Sequence, residues 1–337
     1  EMCIRDRYEI LDQIGQGGFG FVYHAHDVHL REDIAIKELI PGLVGDEASL
    51  KRFLAEAKLT MRLSHAFIVR THHIFPDGPN HYIVMEYMAG GSLEERLREW
   101  GPLSSPEAVR MATQACEGLA YAHREGVVHC DLKPANILFD GGRPNGTGAS
   151  AKVADFGIAH VSDQMLSRTW LTPAGFVAGT LPYMSPEQTE GVRDDPRIDV
   201  YALGAVLYRA LTCQTYLNFD EQDTPRAQAD NVYRIYNLQP QLPSSLNAGV
   251  PSWLDAVVLK ALAKGREERF GSIDQLRAAL LHQRQVQVPV VVGAVPETVA
   301  VPPGSRPPRP GSRQKRGGLS PLFWVFLVGA AVLLFVI

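Results

Sequence analysis

The sequence has few cysteines and no excess of basic side chains. Its 337 residues include four cysteines, and these are scattered, with no CxxC pair and no Cys/His spacing of the kind that binds metals. Such usage is typical of a reducing compartment and argues against both a disulfide framework and a zinc site. The formal net charge of −4 lacks the basic surplus of nucleic-acid-binding proteins, so no nucleic acid is expected as a partner.

Apolar residues make up 45% of the chain, which is enough to build a sizeable core. Both ends of the sequence look cut, and residues 1–7 resemble translated sequencing-adaptor read-through, so they are predicted to be non-native. Residues 8–284 have the mixed pattern of a globular domain. Residues 285–318 are rich in proline and basic side chains, and we expect them to form a semi-rigid juxtamembrane linker.

The last segment, residues 319–337, is predicted to be a transmembrane helix. Its 17 residues from Pro321 to Ile337 carry no charge. As a helix they rise roughly 25 Å, slightly less than a ~30 Å hydrocarbon core, so we expect a spanning helix that is truncated near its far end; a buried core helix is the alternative. Basic residues of the linker come just before this segment, and basic residues mark the cytoplasmic side of a membrane helix. We therefore predict a single-pass protein of the cell membrane, with everything upstream of the helix in the cytoplasm. The basic residues are Arg306, Arg309, Arg313, Lys315 and Arg316.

Two short motifs in the middle of the chain carry the chemistry. The run His129-Cys130-Asp131-Leu132-Lys133-Pro134-Ala135-Asn136 is followed, nineteen residues later, by Asp155-Phe156-Gly157. They supply two acids, an amide and a lysine, which phosphoryl transfer from a metal-bound nucleotide needs for positioning and charge neutralisation. The motifs resemble the catalytic loop and the metal-binding loop of protein kinases. The lysine two residues after the first aspartate, and Gly179-Thr180, resemble serine/threonine rather than tyrosine kinases.

The resemblance implies a role for each of these side chains. Asp131 would accept the proton of the attacking substrate hydroxyl, and Lys133 would point at the transferring phosphoryl group. Asn136 and Asp155 would hold Mg²⁺, with Mn²⁺ as an alternative, because hard cations take oxygen ligands. Thr180 would bond Asp131 and Lys133.

A glycine-rich segment, Gly15-Gln16-Gly17-Gly18-Phe19-Gly20, lies near the start of the globular region. Such a motif is weak evidence alone, since a dinucleotide-binding turn has the same spacing but should be followed by a helix. Here the alternating stretch Tyr8–Gln13 precedes it, and the β-favouring runs Phe21–Tyr23 and Ile34–Lys37 follow it. The pattern therefore predicts a β-hairpin, whose glycines let the backbone close over phosphates.

Lys37 ends an apolar run, where a lysine either reaches solvent or has a specific partner. By resemblance to the kinase strand lysine it would hold the α- and β-phosphates of the nucleotide, oriented by a carboxylate. The segment from Ser49 to Leu63 has apolar residues at helical spacing and supplies Glu56 as the predicted partner, with Glu47 as the alternative.

The stretch from His81 to Leu93 ends a β-favouring run at a Gly-Gly break and resembles the hinge between kinase lobes. The backbone groups of Glu86 and Met88 would bond the adenine edge, and Met85 would guard the pocket behind it. An edge strand followed by an ordinary turn would have the same composition. The nucleotide-binding residues implied by the resemblance are Gly15, Gly17, Gly20, Val22, Ala35, Lys37, Glu86, Met88 and Asn136.

Three charged residues are assigned to the framework rather than to the chemistry. Ser185-Pro186-Glu187 matches the motif that closes the kinase activation segment, and its Glu187 is predicted to form a buried ion pair with Arg269. Asp199, at the start of an apolar helical run, resembles the aspartate that holds the backbone of the catalytic loop.

The chain departs from the family pattern at two places. Cys130 stands where most relatives have an arginine that pairs with a phosphate on the activation segment, and a neutral thiol cannot do this. We therefore expect activity to depend little on phosphorylation of the candidate sites Ser167, Thr169 and Thr172. The second departure is the region from Cys213 to Gly249, whose Gln-rich acidic stretch gives no indication of how substrate docks.

The sequence thus predicts a two-lobed α+β kinase fold, with an antiparallel sheet and one helix in residues 8–88 and a mostly helical lobe in residues 89–284. It is most similar to the bacterial, membrane-anchored, eukaryotic-like (Hanks-type) serine/threonine protein kinases. These kinases use ATP and a divalent metal to phosphorylate proteins in transmembrane signalling. Pairing with a second copy of the chain, as a homodimer, is a further possibility. The alternatives are a pseudokinase that binds nucleotide or acts as a scaffold, and a small-molecule phosphotransferase that shares the fold.

Overall fold

The computed structural model describes residues 7–17, 20–39, 58, 61–78, 80–141, 149–156, 181–220, 222 and 224–283. Several predicted features lie outside these residues: the adaptor-like residues 1–6, most of the Ser49–Leu63 helix with Glu56, the linker 285–318 and the transmembrane segment 319–337. Among the described residues, no helix is both long and apolar enough to cross a membrane.

The upper lobe is an antiparallel sheet with the strand order β1-β2-β3-β5-β4. Neighbouring strands in the chain pair as hairpins, except that β5 lies between β3 and β4. The apolar side chains of one face form a small core around Ile34, Ile36 and Val84. The five strands are β1 (Tyr8–Gly17), β2 (Gly20–Asp27), β3 (Glu32–Leu39), β4 (Thr71–Asp77) and β5 (Asn80–Glu86).

The glycine-rich segment forms the predicted hairpin, because β1 continues to Gly17 and β2 begins at Gly20, with these two residues paired. At Gly20 a side chain is excluded: a Cβ there would lie 1.7 Å from the carbonyl oxygen of Glu38 on β3. The glycine thus lets β2 approach β3 closely at the hairpin end. A strand, not a helix, follows the motif, which confirms the hairpin prediction.

The alternating pattern of Tyr8–Gln13 predicts one buried face, but the structure shows only its first residue buried. Tyr8 is buried, whereas Ile10, Leu11 and Ile14 are all exposed. Two irregularities in the β1–β2 register, after Ile10 and after Gln13, interrupt the side-chain alternation along β1. An edge strand with such bulges does not present a continuous face to a core.

The lower lobe is helical, with two short strands next to the upper lobe. Helix α1 begins at a capping box in which Ser92 and Glu95 satisfy each other's backbone amides. The same device, made by Ser104 and Glu107, starts α2. The strands are β6 (Ile137–Phe139) and β7 (Ala151–Val153), and the helices are α1 (Leu93–Trp100), α2 (Ser105–Arg124), α3 (Pro186–Thr189), α4 (Arg197–Thr212), α5 (Pro225–Asn237), α6 (Pro243–Leu246), α7 (Ser252–Ala261) and α8 (Ile273–His282).

Helix α4 forms the centre of this lobe. Almost all of its side chains are buried, polar ones included. Helices α2, α7 and α8 pack against it and contribute Leu119, Leu254 and Leu276 to a single apolar core. The catalytic-loop region and β6 border the same core, so the site is built directly on its most buried part.

Candidate active site

Lys37 lies on β3 opposite Val22 of β2 and Ile83 of β5. Its side chain is almost fully buried, and its ammonium nitrogen lies 3.0 Å from both carboxylate oxygens of Asp155. A buried ammonium is costly unless it is paired, and this carboxylate supplies the pairing. The structure therefore brings together two predicted site residues that are far apart in the sequence.

Asp155 is ionised in this arrangement. Burial alone would raise the pKa of its carboxyl, but the neighbouring Lys37 ammonium outweighs burial and the pKa is lowered. Its backbone has a φ of +58°, a left-handed conformation that is uncommon for a residue other than glycine and that is often found at functional sites. The turn directs the carboxylate toward β3 and the cleft.

The catalytic-loop side chains form a connected hydrogen-bond network. The Lys133 ammonium donates to Asp131 Oδ2 at 2.8 Å. The Asn136 amide nitrogen donates to the carbonyl oxygen of Asp131 at 2.8 Å, and it lies 3.4 Å from Asp131 Oδ2. The Asp131 side chain is about a quarter exposed, at 26%, so a substrate hydroxyl can reach it. These contacts fix the carboxylate before any substrate binds.

Asp199 holds the backbone of this loop, as predicted. Its buried carboxylate accepts the amides of His129 and Cys130 at 2.9 and 3.0 Å, and it lies 2.7 Å from Nε2 of His123. Burial opposes ionisation, but the His123 ring and the backbone amides together lower the pKa of Asp199. The start of α4 is thereby joined to the loop that carries Asp131.

His129 links the loop to the segment that carries Asp155. Its ring is fully buried, lies 2.9 Å from the carbonyl oxygen of Ala154 and contacts the ring of Phe156 edge to face. The loop and the metal-binding motif are therefore packed as one unit.

Cys130 is a buried framework residue. Its Sγ lies 3.1 Å from the carbonyl oxygen of Arg193, and its own carbonyl accepts the amide of Gln188 at 2.7 Å. The backbone φ of +62° is strained for a cysteine. It is held because the Cys130 amide donates to Asp199 and the Cys130 carbonyl accepts from Gln188. The thiol is buried inside the lobe, where it takes the place of a small structural side chain.

The predicted pair of Glu187 and Arg269 is present and buried. Two parallel hydrogen bonds of 2.5 and 2.8 Å join the guanidinium to the carboxylate, and the two side chains are 0% and 4% exposed. Arg269 also donates to the carbonyl oxygens of Ala263 and Lys264. The pair fastens α3 to the segment before α8.

The hinge lies between β5 and α1, and the side chains of Glu86 and Tyr87 contact residues of both lobes. Glu86 forms an ion pair of 2.5 Å with Lys152 of β7, and the ring of Tyr87 stacks on His24 of β2 with 3.9 Å between the ring centroids. The Met88 carbonyl accepts the amide of Gly91 at 3.2 Å. The hinge is thus fastened to both lobes.

An apolar cluster borders the hinge on the side of the cleft. Val69, Met88 and Ala154 are buried there, and the partly buried Met85 and Leu138 pack against them. The motifs identified only the two methionines. Leu138 could have been recognised as the apolar strand residue two positions after Asn136, whereas Val69 lies in a segment without a motif.

The other predicted nucleotide-binding residues lie on the hairpin and strand above this cluster. Gly15 pairs with Val22, and Val22 pairs with Lys37. Ala35 is buried and pairs with Met85 of β5. Glu56, the predicted partner of Lys37, and Thr180 lie outside the described residues, as do Phe19 and Gly157.

The residues present fit a divalent cation bound together with a nucleotide. Because the Asn136 amide nitrogen is used as a donor to Asp131, its oxygen faces away from that bond. The Asn136 side-chain oxygen and the ionised Asp155 carboxylate are thus two hard oxygen ligands. Among the described residues no cluster of three or more His, Cys, Asp or Glu side chains could bind a metal ion. The remaining ligands would have to come from phosphates and water, as is usual for Mg²⁺.

Comparison with known proteins agrees with this geometry. The protein kinase domain family matches residues 8–282. The serine/threonine-protein kinase PknB of Mycolicibacterium smegmatis is 34% identical over 353 residues, which covers 99% of this chain and 54% of that protein. PknB of Mycobacterium leprae is 38% identical over 291 residues, 85% of this chain and 44% of that protein. The chain thus spans about half the length of these curated relatives.

Among solved structures, the PknI kinase domain of Mycobacterium tuberculosis matches with a TM-score of 0.61 and 25% identity, covering 82% of this chain and 96% of that one. The two lobes, the pair of Lys37 and Asp155 and the Asp131 network agree with the family match. That match shows that the chain belongs to the protein kinase family.

Proposed function

We propose that this chain transfers the γ-phosphoryl group of ATP to serine and threonine hydroxyls of protein substrates. The observation that carries the proposal is the fixed Asp131 carboxylate, bonded to Lys133 and close to the Asn136 amide nitrogen. In the kinase reaction a carboxylate at this position accepts the proton of the substrate hydroxyl. The printed names of the PknB relatives, serine/threonine-protein kinases, support the choice of substrate class.

Each side chain has a role in this proposal. Lys133, already 2.8 Å from Asp131, would neutralise charge on the transferring group. Asn136 and Asp155 would hold Mg²⁺, which supplies charge neutralisation at the phosphates when it is bound. Lys37 would orient the α- and β-phosphates, and the apolar cluster with Val22 and Ala35 would enclose the adenine.

We further propose that the chain is the cytoplasmic part of a single-pass membrane protein that transmits a signal. The uncharged run from Pro321 to Ile337 and the basic residues before it support this part of the proposal. Fractionation of cells that express the full chain and a chain ending at Ser320 would test it. Recovery of both in the soluble fraction would contradict a membrane anchor.

The catalytic proposal is tested by phosphate transfer from labelled ATP and Mg²⁺ to the purified chain and to a generic protein substrate. We expect label on serine and threonine, and no label with Asp131→Asn. Nucleotide binding without transfer in the unsubstituted chain would instead support a pseudokinase, an alternative that the intact set of acids and lysines does not favour. Transfer to aminoglycoside or choline but not to protein would support a small-molecule phosphotransferase.

A further inference from the structure

Two histidines on β2 share one carboxylate of the neighbouring strand β3. Nε2 of His24 lies 3.1 Å from one oxygen of Asp33, and Nδ1 of His26 lies 2.9 Å from the other. Hydrogen bonds from His26 and His24 hold the pKa of Asp33 below its usual range, so the carboxylate is ionised and accepts from both rings. An ionised carboxylate has no proton to donate, so the ring nitrogen that faces it carries the hydrogen in each histidine. Asp33 thereby orients both rings.

The two histidines differ in what lies against the face of the ring. The His24 ring stacks on the ring of Tyr87 in the hinge, with 3.9 Å between the centroids and 6° between the planes. Among the described residues no aromatic ring stacks on His26. The His24 side chain is 18% exposed, and that of His26 is 35% exposed. His24 therefore joins β2 to the hinge, and His26 is a matched residue without the stack.

The stack lies beside the proposed nucleotide site. His24 is opposite Ala35 of β3 and two positions after Val22, so the three residues share one face of the sheet. Val22 and Ala35 are the proposed roof over the adenine. Tyr87 stands between the two hinge residues whose backbone groups would bond the adenine edge. The contact of His24 with Tyr87 thus connects the roof of this site to its hinge edge.

We propose that His24 is a positioning residue for nucleotide binding and acts through its stack on Tyr87. This inference rests on the proposed function, because it concerns the same nucleotide site. A hinge that is already held against the roof presents its backbone groups to the adenine without further ordering, so less conformational entropy is lost on binding. Loss of such a contact weakens the binding of substrate and transition state alike, which raises the KM for ATP and leaves kcat unchanged.

Hydrogen exchange in the full chain without nucleotide tests whether His24 holds the hinge. We follow the amides of residues 86–91, two of which donate to backbone carbonyl oxygens. His24→Ala should speed their exchange several-fold. His24→Phe keeps a ring against Tyr87 and should restore the original rate. His26→Ala removes the same kind of side chain from the same carboxylate and should leave the rate unaltered. Equal exchange in His24→Ala and His26→Ala would overturn the proposal.

Titration calorimetry with ADP and Mg²⁺ tests the effect on nucleotide binding. His24→Ala should raise the dissociation constant about three- to tenfold, in the range expected for the loss of one aromatic pair, and His26→Ala should change it less than about twofold. Tyr87→Ala removes the same stack from the hinge side. The double variant of His24 and Tyr87 should therefore bind ADP no more weakly than the weaker single variant, and additive losses would contradict the stack as the cause.

The same titration separates failure of this inference from failure of the proposed function. If the unsubstituted chain binds no ADP, the proposed function fails and this inference fails with it. If the unsubstituted chain and His24→Ala bind ADP equally well, only the role of His24 is overturned. In the phosphate-transfer assay, His24→Ala should raise the KM for ATP by the same factor as the dissociation constant. A fall in kcat without a change in KM would also contradict a positioning role in binding.

Discussion

The ammonium nitrogen of Lys37 lies 3.0 Å from each carboxylate oxygen of Asp155. This pair joins β3 of the upper lobe to the turn that follows β7 of the lower lobe. It places the cation that would contact phosphates beside the carboxylate that would hold the metal. The pair is therefore one of the contacts that set the relative position of the two lobes at the cleft.

Replacing Lys37 with methionine should lower the turnover number by about 10²- to 10³-fold, the range found when one preorganised electrostatic contact to a transition state is removed. The variant also leaves Asp155 without the ammonium that lowers its pKa, so that pKa should rise. Steady-state phosphate transfer measures the loss. Lys58→Met, at an exposed lysine, is the matched control, and an equal effect of both substitutions would contradict the role of Lys37.

The ion pair of Glu86 and Lys152 should affect nucleotide affinity more than turnover. It fastens the hinge, whose backbone would contact the adenine, to the strand that leads to Asp155. We expect Lys152→Met and Glu86→Gln each to raise the KM for ATP a few-fold with little change in kcat. Because both remove the same contact, the double variant should be no worse than either single one, so the coupling should equal the effect of one substitution, about 0.5–1 kcal/mol. Additive effects would show that the pair does not act as a unit.

Glu187→Gln should strongly destabilise the lower lobe. It leaves the buried Arg269 guanidinium without its counter-charge, and breaking a buried pair in this way costs about 3–5 kcal/mol. Urea unfolding followed by circular dichroism measures the change. Glu267→Gln removes one of the two acidic partners of Arg197, at a carboxylate that is 89% exposed, and it should change the free energy of unfolding by less than about 1 kcal/mol. A small effect of Glu187→Gln would contradict the structural role.

Asp195 should make stability depend on pH in the acid range. Burial opposes its ionisation, but hydrogen bonds from Arg197 and Arg266 lower its pKa from 3.8 to about 2. A lowered pKa contributes stability above the unfolded-state value, here about 2 kcal/mol, and the contribution is lost as the pH falls from about 4 toward 2. Asp195→Asn should therefore be less stable than the unsubstituted chain at pH 7.

The difference in the free energy of unfolding between Asp195→Asn and the unsubstituted chain should shrink as the pH is lowered toward the value at which the protein unfolds. Comparing the two cancels the contribution of other carboxylates. Asp194→Asn, at a neighbouring side chain with no ion pair among the described residues, is the control. A stability difference that stays constant from pH 7 to the acid limit would rule out the contribution of Asp195.

Replacing Ser167, Thr169 and Thr172 together with alanine should leave turnover within a few-fold of the original. The physical reason is that Cys130 cannot pair with a phosphate on these residues, and its thiol is directed at the carbonyl oxygen of Arg193. The assay is phosphate transfer to an external protein substrate, with Asp131→Asn as the inactive reference. A loss comparable to that reference would show that activation-segment phosphorylation matters despite Cys130.

The sequence predicts those parts of the site that lie within short motifs. Asp131, Lys133 and Asn136 fall within six residues, so their proximity follows from local geometry, and the hairpin at Gly17 and Gly20 follows from the strands around it. The framework contacts of Asp199, and of Glu187 with Arg269, were predicted only through the family resemblance.

The parts that the sequence did not predict depend on tertiary packing. Lys152 and Glu86 lie on different strands with nothing in either local pattern to indicate the other. Helix α5 begins at a Thr224 cap within the acidic, Gln-rich stretch that gave no clear signal. On β1 the alternation of apolar residues is misleading, because the bulges expose both faces of the strand.

The position of Asp199 should couple the loss of activity on heating to the unfolding of the lower lobe. The carboxylate that holds the amides of His129 and Cys130 stands in the first turn of the most buried helix. These two bonds join the catalytic loop directly to α4, so we expect the loop to loosen only when this helix unfolds. Warming should leave the specific activity of the surviving molecules unchanged and reduce only their number, so that the temperature of half-inactivation coincides with the melting temperature of the lower lobe.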